Sequence, residues 1–208
     1  MSIAIKVREK ETESIYRNNY LQLLFESFFN EFLLYFFPEL HQMIDLNILL
    51  PVSVPIEISN QNKLTIFQTK VKGNDAIIFI QIANDKEDRE KIENQMYQTF
   101  LSLNQRYETI IIPIMVLIGE KTWDKNEYHV SCSNWNMVTF RYLCAEVNKE
   151  NFPQYLQENN VIAVALLYHE LELSEIERFE LQTEILKMMI HMHGNEAETR
   201  PIYKYFKR

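Results

Sequence analysis

The stretch IIFIQIAND, residues 77–85, decides how the chain is read. Its apolar run reads as a buried β-strand, and the Asn-Asp at its end reads as the start of a helix. Asp85 is a good N-cap, and Asp88 stands three residues on in the position of a capping box. One residue breaks the run. Gln81 puts a neutral amide in mid-strand, where burial tolerates a hydrogen-bonded amide far better than an uncompensated charge.

Before it, Lys63 to Val71 alternates weakly and reads as a strand. Lys72-Gly73-Asn74-Asp75 is a turn sequence, and Ala76 to Ala83 completes a hairpin. The helix opened by Asp85 carries Ile92, Met96, Phe100 and Leu103 on one face. Thr109 to Ile118 is near-continuously apolar, the pattern of a strand buried on both faces. Val138 to Val147 reads as one further strand. Upstream, Ile15 to Phe37 has helical spacing, with Leu21, Leu24, Phe25, Phe28, Phe32 and Phe36 on an unusually wide apolar face, and Pro38 stops it. Residues 39–60, with Pro51 and Pro55, read as irregular. Toward the C-terminus, Asn159 to Leu171 holds an apolar run, Val161 to Leu167, that suits strand or helix, and its alanines favour helix. Ser174-Glu175-Ile176-Glu177 is a capping box for a helix running to Gly194.

That order predicts an α/β (α+β) fold around a mixed sheet. Residues 1–14 read as a charged arm, 15–150 as the α/β core, and 151–208 as a helical extension of the same domain. The 208 residues are 47% hydrophobic and 24% charged, enough to bury a sizeable core. A net charge of −8 gives no mean-field steering onto nucleic acid, so DNA binding would need a local basic patch. Cys132 and Cys144 lack metal-ligand spacing. No signal peptide or bilayer-length apolar stretch stands out, so the expectation is a cytoplasmic protein without a membrane partner.

Several stretches together resemble the PD-(D/E)XK nuclease superfamily, and within it the recombination-promoting nuclease family, which is also described under the transposases. "FFNEFLLYFFPEL" resembles the family's opening helix, and "IIFIQIAND" its apolar strand ending in Glu-x-Gln. "QMYQTFLSLNQRYETIIIPIMVLIGE" resembles its next helix and strand, and "YLQENNVIAVALLYHEL" and "ELQTEILKMMIHMHG" its C-terminal helices. The resemblance implies a restriction-endonuclease-like mixed sheet flanked by helices. It also implies Mg²⁺-dependent DNA cleavage by an Asp on the first hairpin strand, a Glu on the second, and a Lys or Gln two residues later. Mg²⁺ is usually held by one or two carboxylates and activates the attacking water.

In this chain those positions fall on Thr65, Gln81 and Ala83, none acidic. The resemblance therefore points to a pseudoenzyme with vestigial site positions and no cofactor, acting by binding DNA or a protein partner. An alternative is an active Mg²⁺-dependent endonuclease with a rearranged site, drawing on Glu57, Asp75 and Asp85 with Gln81 orienting water. A third is an acidic protein-interaction or inhibitor module. A second copy of the chain is a further expected partner.

The C-terminal "RPIYKYFKR" interleaves Arg200, Lys204, Lys207 and Arg208 with aromatics, which suits phosphate contact plus base stacking, or a solvated tail pinned by its rings. His191 and His193 stand two apart on a helix and so on different faces, unsuited to joint metal ligation. No Gly-rich phosphate loop or nucleophile motif is present.

Overall fold

The computed structural model describes residues 21–52, 63–120, 123, 126–132, 135–170 and 174–193. A five-stranded mixed sheet has the order β1-β2-β3-β4-β7, formed by β1 (Leu50–Pro51), β2 (Leu64–Val71), β3 (Asn74–Asn84), β4 (Ile110–Ile118) and β7 (Leu143–Val147). β1–β2 and β2–β3 are antiparallel, while β3–β4 and β4–β7 are parallel. β5 (Glu127–Cys132) and β6 (Trp135–Arg141) form a separate antiparallel pair. The α+β class expected from the sequence is the one observed.

The predicted hairpin is present, with a tighter turn than expected. Lys72 and Gly73 have φ of 49° and 82°, the two positive values of a two-residue turn whose twist matches its strands. Pairing therefore extends to Val71 opposite Asn74 and sets the register above it: Leu64 lies across from Gln81, and Thr65 across from Ile80.

One face of the sheet is covered by α1 (described over 21–36), α5 (Val161–Glu170) and α6 (Glu175–His193). Their side chains join Phe67, Ile78, Ile80, Ile82, Ile114 and Val116 in one core. Residues of the 151–208 extension thus lie in the same core as the sheet. The other face is covered by α3 (Arg89–Tyr107) and the β5–β6 pair, over Leu64, Ile66, Phe79, Ala83, Met115 and Leu117. Double cover explains why β3 shows no polar alternation from Ala76 to Ala83.

The wide aromatic face of α1 is core. Phe25 and Phe32 meet edge to face at 5.2 Å, and Phe29 lies 5.4 Å from Phe67 on β2. α5 is buried from Val161 to Tyr168, with Asn160 capping it by accepting from the Ala163 N–H at 3.1 Å. The Ser174–Glu177 box opens α6 as predicted: the Glu177 carboxylate accepts from the Ser174 N–H at 2.9 Å, and the Ser174 hydroxyl accepts from the Glu177 N–H at 3.3 Å.

Several expectations are corrected. Asp88, not Asp85, caps α3, its carboxylate accepting from the Lys91 N–H at 3.4 Å. A turn intervenes, because the Asn84 side chain accepts from the Lys86 N–H and the Asn84 carbonyl accepts from the Glu87 N–H. Val138–Val147 is not one strand. It breaks at Tyr142, where the chain passes from the β5–β6 pair to the main sheet. Pro38 ends α1 but also stands in the first turn of α2 (Pro38–Met43), where its missing N–H costs nothing. The 39–60 region contains most of α2 and all of β1, and a short α4 (Phe152–Gln157) precedes α5.

Phe67 is fully buried between α1 and the sheet, so Phe67→Ala leaves a cavity that helix and strand cannot both collapse into. A loss of about 3–5 kcal/mol is expected in urea unfolding. A loss below about 1 kcal/mol would mean that this layer is loosely packed.

Candidate functional site

Gln81 is 3% exposed on the α3 face of β3. Side chains alternate along a strand, so it shares that face with Ile77, Phe79 and Ala83. Laterally it is flanked by Leu64 on β2 and Met115 on β4. Thr65 pairs with Ile80 and so faces the opposite layer, the one filled by α1. Thr65 and Gln81 are thus separated by the sheet and cannot grip one ligand. The residue that shares a face with Gln81 directly across the hairpin is Leu64.

The remaining predicted acids do not converge on Gln81. Asp75 is on its face but exposed, six residues back at the turn end of β3, roughly 20 Å away at strand rise. Asp85 lies four residues on, roughly 13 Å along an extended chain. Its carboxylate accepts from the Glu120 N–H at 2.9 Å, while its own N–H donates to the Ile118 carbonyl at 2.9 Å. It fills the space beside Gly119, where a Cβ would come within 2.1 Å of its Cγ and where φ is +146°. Asp85 therefore locks together the ends of β3 and β4. Beside Ala83 the same face carries Leu117 and then Glu146, two strands away, about 10 Å at interstrand spacing. Glu57, Arg200, Lys204, Lys207 and Arg208 lie outside the described residues, as do the side chains of Cys132, Trp135, His169 and His193.

Among the described residues, no group of three or more His, Cys, Asp or Glu could hold a metal ion. Mg²⁺ demands near-octahedral oxygen ligation, usually with one or two carboxylates. A neutral amide between Leu64 and Met115 does not fit it.

A polar cluster that sequence reading missed lies on this face. Glu93 of α3 is 5% exposed, and its Oε1 accepts from the Tyr142 hydroxyl at 2.5 Å and from Arg89 Nε at 3.0 Å. The Arg89 guanidinium lies 5.2 Å from the ring centroid of the buried Trp123. The signal was present: Glu93 stands three residues before Met96, at a core-facing position of the α3 stripe, with Arg89 four residues back. The cluster holds α3 against the corner where β6 gives way to β7.

Burial first, and then the Glu93 carboxylate, push the Tyr142 phenol well above its ordinary range, so it stays protonated. Cys144, across Met115 from Gln81, has its thiol raised to about 12, chiefly by burial and then by Glu146. Burial of this kind disfavours the thiolate.

Comparison with protein-family models, curated proteins and solved structures finds no significant match for the chain. Among the described residues no helix is long and apolar enough to cross a membrane.

Tyr142→Phe removes a hydrogen-bond donor from a buried carboxylate and should cost about 1–3 kcal/mol in urea unfolding. Adding Glu93→Gln should cost less on that background than on the wild type, because the two groups share one bond. Strict additivity of the two losses would contradict the network.

Proposed function

We propose that this chain is a binding protein without hydrolytic activity, carried on a nuclease-like α+β sheet, with a protein as its partner class. One observation carries the first half. The strand position where the resemblance places a metal-binding glutamate is Gln81, sealed among Leu64, Phe79 and Met115, with its expected hairpin companion Thr65 on the other side of the sheet. An amide there keeps the shape of a glutamate and avoids the far larger cost of an uncompensated buried charge.

The described surface supports the second half. A cleft of about 560 Å³ has an apolar floor of Phe152, Pro153, Leu167 and Leu181, rimmed by Glu150, Glu177, Glu180 and Glu184 against Lys149 alone. Four carboxylates to one ammonium repel a phosphate backbone and suit a basic, partly apolar protein segment. The net charge of −8 acts in the same direction.

The test is plasmid cleavage by the purified full chain with Mg²⁺, Mn²⁺ or EDTA, beside Gln81→Ala and Glu57→Ala preparations that expose contaminating nuclease. No metal-dependent cleavage above the variants is expected, together with weak, salt-sensitive DNA retention at physiological ionic strength. Cleavage that requires metal and falls in either variant would overturn the proposal.

A further inference from the structure

α6 is apolar on two sides. Leu181, Ile185, Met188 and Met189 are buried in the protein's own core. On the far side of the helix, Ile176, Phe179 and Ile190 are 73%, 70% and 53% exposed. Thr183 and Leu186 complete that outer row, both half-buried. The five positions follow one another at intervals of three, four, three and four residues. This is the a/d spacing of a helix seam, extending about 21 Å along the axis. The Thr183 hydroxyl donates back to the Phe179 carbonyl at 2.8 Å, so the hydroxyl is satisfied within its own helix. Three large apolar side chains so exposed along one such row are not a feature of a solvated helix face.

We propose that this row is a self-association seam, and that two copies of the chain pack their α6 helices antiparallel about a two-fold axis near Thr183. The charges beside the seam select both the occupant and the direction. Glu180 and Lys187 flank the same edge of the row, seven residues apart. In the antiparallel arrangement Ile176 meets the partner's Ile190, and Glu180 lies beside the partner's Lys187, an attraction that symmetry repeats. In a parallel arrangement Glu175 would instead lie beside the partner's Glu180, a like-charge contact. Within one copy Lys187 pairs with Glu184 at 2.6 Å, but both side chains are well exposed, and such a surface pair holds Lys187 only weakly. One helix pair buries less than the roughly 1,200 Å² of a standard interface, so association is reversible and concentration-dependent.

Sedimentation velocity of the full chain, from low to several hundred micromolar, tests this. A monomer–dimer equilibrium is expected. Phe179→Glu alters an exposed residue, leaves the core intact by circular dichroism, and weakens the dimer by about tenfold or more. Glu180→Lys alone and Lys187→Glu alone each weaken it several-fold, and the two together restore it, which neither a parallel seam nor an unrelated interface would produce. A monomer at every concentration would overturn the proposal, as would a dimer indifferent to Phe179→Glu or a charge exchange that fails to restore association.

Discussion

The parallel pairing of β3 with β4 constrains everything around it. Parallel strands need a crossover, and here the crossover is α3, which lies on one face of the sheet, while α1, α5 and α6 cover the other. Both faces of β3 are dry, so every residue from Ala76 to Ala83 must pack in one layer or the other. Gln81 sits in such a layer with apolar lateral neighbours, Leu64 and Met115.

The same constraint explains where the strong polar interactions lie. At the corner between β6 and β7 the chain changes sheets, and the Tyr142–Glu93–Arg89 cluster ties that corner to α3. At the ends of β3 and β4 the Asp85 carboxylate takes the Glu120 N–H beside a glycine that no larger residue could replace without movement. Both devices close the edges of an apolar layer.

Most of the fold was legible in local chemistry. The hairpin, the apolar run of β4, the α3 stripe and the Ser174–Glu177 box each carry their own short-range signal, and each is found where it was expected. What escaped depends on contacts distant in sequence. Asp85 and Asp88 are equally good caps in isolation, and only the packing of Asp85 against Gly119 decides between them. The break at Tyr142 reflects its bond to Glu93, 49 residues away. That Thr65 and Gln81 lie on opposite faces of the sheet was also legible. Any two- or four-residue turn between β2 and β3 sets odd residues of one strand opposite even residues of the other, so a shared face for these two would need a bulge or an odd-length loop.

The apolar neighbours of Gln81 argue for a packed layer rather than a metal site on that face of the sheet. Amide NMR spectra of the labelled full chain, recorded while Mn²⁺ is added well below stoichiometry, test it most directly, because a bound paramagnetic ion broadens its nearest amides first. No selective loss of the Gln81, Ala83, Leu64 or Leu117 signals is expected, with broadening confined to amides beside exposed carboxylates. Early, selective disappearance of those four signals, reversed by EDTA, would contradict it.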